Sequence, residues 1–308
     1  MGLTALSIVL ALLAGAGNAG ANVLQRKASL LQAAQEPFSL RVFLDLIRRP
    51  VWVGGFAAMV ASFVLQALAL SIGELSVVEP FVAMELPLTL LLASVVFRER
   101  LGRREWVNFA VMTTGLVVLV AALAPEGGDP GAVANLTYIV AGGATAFTIL
   151  LFYVAARRGS VLWRTAMLGL ASGTSFGLTA TMIKETVDRW DEDGFLAILT
   201  TWQTYTAVGF GILGVVTVQS ALHIGPLIAA QPGFTLMDPL VAVLWGILVF
   251  NETVRGGWFA VLAALGFGAI VVAVIQLSRS PLLESLNDTL TREGQDLLPG
   301  ADAGRRHP

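Results

Sequence analysis

The chain reads as an all-α polytopic membrane protein built from two inverted-topology repeats, and three observations predict it. Of 308 residues, 56% are hydrophobic and 13% charged, with a mean hydropathy of +0.77; soluble domains carry about 25% charged residues. Nine apolar stretches are long enough to cross a bilayer, which takes about 20 helical residues,. One pattern also occurs twice: Pro80 and Pro87, separated by six residues inside an apolar run, return as Pro232 and Pro239.

The predicted spans are 3–25, 51–73, 77–97, 106–124, 135–156, 161–183, 197–221, 226–250 and 257–277. They are helices because a bilayer supplies no partner for an open backbone amide or carbonyl. A membrane β-barrel would instead show runs of about 10 residues with alternating polarity, and these runs do not alternate. The first span carries Gly15, Gly17 and Gly20, which spell a dinucleotide fingerprint by letter. No strand precedes them and they lie within a span, so they read as a small-residue packing face. The first span lacks a charged leading segment, and its first basic residues, Arg26 and Lys27, follow it; it reads as a retained helix rather than a cleaved signal. Segment 30–50 has Arg41, Arg48 and Arg49 among apolar residues and reads as an amphipathic stretch on a membrane surface,.

The basic residues set the orientation. Sixteen of the 19 fall on one side of a nine-span chain: in loops 26–50, 98–105 and 157–164 and in the tail after 277. Lys184, Arg189 and Arg255 lie on the other. The positive-inside rule then puts the N-terminus outside and the C-terminus in the cytoplasm of an inner or plasma membrane.

The repeat follows from the same alignment. Phe97 and Glu99 close the first proline-bearing run, Phe250 and Glu252 the second, and Trp106 and Trp258 open the next. The loop after Glu99 is inside and the loop after Glu252 outside, so the copies are inverted. The first membrane repeat is 1–124, with four spans and segment 30–50 in the place of a fifth; the second is 135–277, with five. Residues 278–308 form a polar cytoplasmic tail without the apolar content to fold.

Candidate functional residues are those expensive to bury. Glu85 in span three and Asp238 in span eight are carboxylates at membrane depth, costing at least ~2.5–3.5 kcal/mol on insertion scales. An inverted repeat brings them toward each other across its pseudo-two-fold axis, which makes them the candidate cation or metal site. Asn18, Gln66 and Gln203 are candidate cavity residues. Pro80, Pro87, Pro232 and Pro239 remove helix donors and kink their spans, freeing carbonyls toward a cavity. Glu74 and Glu79 are expected near the outer surface, as a vestibule. Gly169, Gly173 and Gly177, spaced by four, give span six a smooth face. Trp163, Trp190, Trp202 and Trp258 fall at span ends, as in an interfacial aromatic belt. The chain has no Cys and two His, and no HExxH, Walker A or nucleophile-elbow pattern, so no enzymatic activity and no cofactor are implied. The net charge of −2 gives no reason to expect nucleic acid; the expected partners are lipid, a small ion or metabolite, and a second copy of the chain.

The segment PLTLLLASVVFRERLGRREWVNFAVMTTGLVVL from Pro87 and its second copy PLVAVLWGILVFNETVRGGWFAVLAALGFGAIVV from Pro239 resemble the drug/metabolite transporter (EamA-like) superfamily. Within it, the nine-span layout, Gly73-Glu74 before the first proline run, Ser172-Gly173-Thr174-Ser175 with Lys184, and TVQSALHIGPLIAAQP from Thr217 are similar to the NIPA-type magnesium transporters. Glu79 and Glu85 depart from that pattern, which has small or apolar residues around the first proline. The resemblance implies a secondary transporter working by alternating access, with Mg²⁺ the leading cargo and an organic cation, amino acid or other metabolite the alternative; a non-transporting membrane scaffold is the reading from another class.

Overall fold

The computed structural model describes residues 2–30, 50–96, 101–128 and 133–280. Segment 31–49, which holds most of the amphipathic stretch, Glu99 with its neighbours 97–100, and the tail from 281 lie outside the described residues. The helices are α1 (Gly2–Leu30), α2 (Pro50–Ile72), α3 (Leu75–Val82), α4 (Glu85–Val96), α5 (Arg103–Leu123), α6 (Asn135–Ala155), α7 (Val161–Asp193), α8 (Phe195–Thr200), α9 (Trp202–Ile224), α10 (Leu227–Leu248) and α11 (Trp258–Ser278). With α3 and α4 taken as one crossing, nine segments among the described residues are long and apolar enough to span a membrane. The chain is an all-α polytopic membrane protein; an isolated bridge between Glu126 and Thr253 is the extended pairing found among the described residues.

α7 is the centre of the bundle. Its apolar window is 72% buried, against 11% for α6 at the periphery. α7 packs along α9 and α10, α1 packs along α2 and across α3 and α4, α5 pairs with α11, and α10 lies against α3. Large apolar side chains such as Leu136, Ile139, Phe147 and Leu265 stay exposed. Around a water-soluble protein such a belt would drive association; here lipid is its solvent.

Without a hydrophobic force between helices in lipid, close backbone approach at small residues holds them together. Gly169, Gly173 and Gly177 put α7 directly on the backbone of α10: a Cβ on Gly173 would stand 2.7 Å from the Gly233 carbonyl oxygen and 2.8 Å from Met237 Cβ. Gly115 and Gly266 do the same for α5 and α11, where a Cβ on Gly115 would meet the Gly266 carbonyl oxygen at 2.8 Å. In α1, Gly15 approaches the Val82 carbonyl and Gly17 approaches Ser62, as expected of a packing face.

Three boundaries differ from expectation. Span six continues past 183 to Asp193, because its charged residues are paired rather than looped out. Lys184 Nζ donates to the carbonyls of Leu70 (2.8 Å) and Gly73 (3.1 Å) at the C-terminal end of α2, where the helix dipole favours a cation. Buried Glu185 accepts from the Tyr138 hydroxyl and from Arg189 Nε (2.8 Å). Span seven begins at Trp202, since residues 195–200 form the separate helix α8. Span three begins at Leu75 and is interrupted at Ala83 and Met84, whereas α10 runs unbroken through both of its prolines. Discontinuity was expected of both spans and is found in one.

The end of the bundle where α3 starts is tied by loops. The Glu252 carboxyl, from the turn between α10 and α11, accepts from the amides of Leu75 (2.8 Å) and Ser76 (3.3 Å), the first residues of α3. Gly127 N donates to Glu74 Oε1 at 3.0 Å. Glu126 and Thr253 exchange backbone hydrogen bonds of 3.1 and 2.9 Å. Burial pushes the Glu252 carboxyl above the usual carboxylate range; the Glu74 carboxylate beside it pushes the same way, and the Leu75 and Ser76 amides that it accepts from oppose both.

Two outcomes are expected. Gly173→Val should lower the melting temperature in detergent, through overpacking of about 1–3 kcal/mol, while Gly142→Ala, where a Cβ meets nothing within 4 Å, should leave it unchanged. Because the folded protein holds the Glu252 proton more tightly than the unfolded chain, this group's stabilisation is full below an unfolded value of about 4.3 and is lost as pH rises through the folded one. The melting-temperature difference between wild type and Glu252→Ala should therefore shrink from pH 4 to pH 7.

Candidate functional site

The site forms where the chain gives up helical hydrogen bonding. Pro80 and Pro87 have no N–H to donate. Between them the backbone tightens: Met84 N bonds to the Phe81 carbonyl (3.1 Å) and Leu86 N to the Ala83 carbonyl (3.4 Å), each three residues back rather than four. Such a break is tolerated at membrane depth only where protein covers it. α1 supplies the cover through Gly15, whose missing Cβ leaves room for the Val82 carbonyl at 2.9 Å and the Glu85 amide at 3.4 Å.

Two carboxylates flank the break. Glu79, immediately before Pro80, is 1% exposed. Its Oε1 accepts from Gln66 Nε2 on α2 at 2.8 Å, and its Oε2 is buried with no hydrogen-bond partner. Glu85 opens α4; its Oε1 accepts from Asn22 Nδ2 on α1 at 2.6 Å, and Asn18, one turn earlier, lies beside the same carboxylate. The third acid, Asp238, comes from the middle of α10, within Coulombic range of both glutamates. Its Oδ1 is buried and unpartnered, as is Oε1 of Gln231 two turns below it on α10. No lysine or arginine among the described residues pairs with any of the three acids. The arrangement groups Gln66–Glu79, Asp238 and Glu85–Asn22 around the break between α3 and α4, where α10 packs on α3. Among the described residues, no three His, Cys, Asp or Glu side chains converge tightly enough to cage a metal ion.

The expected residues thus divide. Glu85 and Asp238 lie within Coulombic range of each other, Asn18 stands beside Glu85, and Gln66 joins the group through Glu79. Gln203 does not: it is 2% exposed and donates to Glu185 Oε1 at 3.4 Å, so it serves the polar network that anchors α6 to α7. Pro80 and Pro87 bracket the break; Pro232 and Pro239 sit inside intact α10. Glu79, expected at a vestibule, is instead buried and central. Its signal in the sequence is its place before Pro80, matched by Gln231 before Pro232, which puts a polar side chain at the corresponding turn of each proline helix.

No family model and no solved structure matches the chain. It is similar to an uncharacterized protein of Corynebacterium glutamicum, at 26% identity over 242 residues, covering 77% of this chain and 82% of that protein.

Gln203→Leu should lower thermal stability by leaving Glu185 with one donor fewer, a loss of order 1–3 kcal/mol for a buried group. It should leave unchanged any ligand-induced stabilisation that Glu85→Gln removes, as differential scanning fluorimetry in detergent would show.

Proposed function

We propose that the protein is a secondary transporter of the inner membrane, of the drug/metabolite-transporter type, that moves a cation by alternating access past Glu79, Asp238 and Glu85. The observation that carries this reading is three carboxylates at membrane depth, two with a buried oxygen that no donor satisfies, beside a broken helix. Intramembrane acids that face one another and lack a fixed cation mark ion paths, and a broken helix beside them is the usual architecture of a carrier site. The helix pairing supports an inverted repeat. α1 packs on α2 and on α3 and α4, as α7 packs on α9 and α10, and α5 pairs with α11; α6 is the span without a counterpart. In this arrangement the N-terminus is outside, the C-terminus is cytoplasmic, and α3 enters from the outer face.

Mg²⁺ is the leading cargo. It dehydrates reluctantly and binds through one or two carboxylates while keeping several waters, which suits acids strung along a path. The same spread, with no tight three-acid group among the described residues, favours as a second reading an organic cation whose length would contact two acids at once. The membrane potential supplies about 2.3 kcal/mol per charge per 100 mV, and no nucleotide motif is present.

Purified protein in liposomes loaded with a Mg²⁺-sensitive dye tests this. Wild type should carry Mg²⁺ inward under an inside-negative potential, and Glu85→Gln with Asp238→Asn should abolish the flux. Folded wild type without Mg²⁺ flux would remove that cargo; a panel of organic cations under the same conditions would then decide the second reading.

A further inference from the structure

The outer end of the two halves is joined by bonds from one half to the other. Glu252, in the second half, reaches the N-terminus of α3 in the first and takes the Leu75 and Ser76 amides on its two oxygens. It is 3% exposed. The contact is fitted closely: a Cβ on Gly246 would collide with Ser76 Oγ and the Glu252 carboxyl, and one on Gly128 would stand 2.6 Å from Glu252 Cγ and 2.8 Å from Glu74 Oε2. Around it, Glu126 and Thr253 form their antiparallel bridge, Thr253 Oγ1 adds a bond to the Glu126 carbonyl at 2.8 Å, and Arg255 N bonds to the Leu123 carbonyl at 3.0 Å. Lys184 holds the Leu70 and Gly73 carbonyls one turn away.

The opposite end is built differently. α10 enters from the cytoplasmic face as α3 does from the outer one, and its N-cap, Pro226, offers no side-chain bond to the first amides of the helix. Asn22, which holds Glu85, is exposed, whereas Glu79, nearer the outer end, is sealed. A carboxyl on a helix N-terminus is a strong bond, since orphan amides and the helix dipole both favour it. It is also reversible, because water can satisfy both sides once they part.

We infer that Glu252 is the outer gate of the carrier: its carboxyl pins the N-terminus of α3 across the two halves, the Glu126–Thr253 bridge closes with it, and the structure is the outward-closed state. This rests on the transporter reading. Opening toward the outside then requires the α10–α11 turn to leave α3, which uncovers Ser76 and, one turn further in, Glu79.

The chain has no native cysteine, so single thiols report directly. In one arm Ser76→Cys is probed on intact cells with a membrane-impermeant maleimide. Labelling should be slow in that background and rise at least about tenfold when Glu252→Ala is added, the ratio expected on loss of its two backbone hydrogen bonds. Equal labelling with and without Glu252, in protein that remains monodisperse, overturns the gate. In the other arm Glu126→Cys and Thr253→Cys are combined. A hydrogen-bonded antiparallel pair sits about 5.5 Å apart at Cα, within disulfide range. Oxidation should block cation flux in liposomes and reduction restore it, whereas full flux through cross-linked protein overturns the gate. If Glu252→Ala fails to fold, the cross-link decides. If the reduced protein carries none of the cations tested, the transport reading fails on its own terms and the labelling arm still decides whether Glu252 holds α3.

Discussion

Every backbone amide and carbonyl inside a bilayer must find a partner within the protein, and the bundle is organised around the one crossing that does not fully meet this demand. Between Pro80 and Pro87 the regular ladder is replaced by bonds to the third residue back. That irregular backbone has to be covered, and α1 covers it with Gly15. The neighbouring α10 keeps its helix through two prolines because α7 lies on it along three glycines. The need to shield weakened backbone thus accounts for the close approaches of α1 to the α3–α4 break and of α7 to α10.

The charged residues sort by whether the fold has already supplied a partner. Lys184 caps α2, Glu185 is answered by Tyr138 and Arg189, and Glu252 by the first amides of α3. These groups carry structure. Glu79 and Asp238, at the break, each keep a buried oxygen that nothing among the described residues answers, as does Glu74 at the loop tie. A buried polar group without a partner is costly, and the proposed cation cargo would answer the two that this site retains, with a third acid in Coulombic range. The same distinction separates Gln203, fixed on Glu185, from Gln66, fixed on Glu79: both are amides on spans, and only the second stands at an unsatisfied carboxylate oxygen.

Composition and periodicity determined a great deal by themselves. The number of crossings, their helical nature, the glycine faces of α1 and α7 and the presence of acids at membrane depth all follow from local residue type, because lipid admits few alternatives for an apolar run of that length. What the tertiary structure decided was who meets whom. Glu79 and Glu85 lie close in sequence, yet one is held by α2 and the other by α1. Gln203 looked like a cavity residue until the rotation of α9 turned it to Glu185, and Glu252 looked like the end of a repeat until the fold carried it onto α3. Such pairings depend on the depth and rotation of helices far apart in the chain, which no local pattern encodes. The physical reason is that in lipid the solvent fixes what each segment must be, while only the packed bundle fixes which polar groups are left to answer one another.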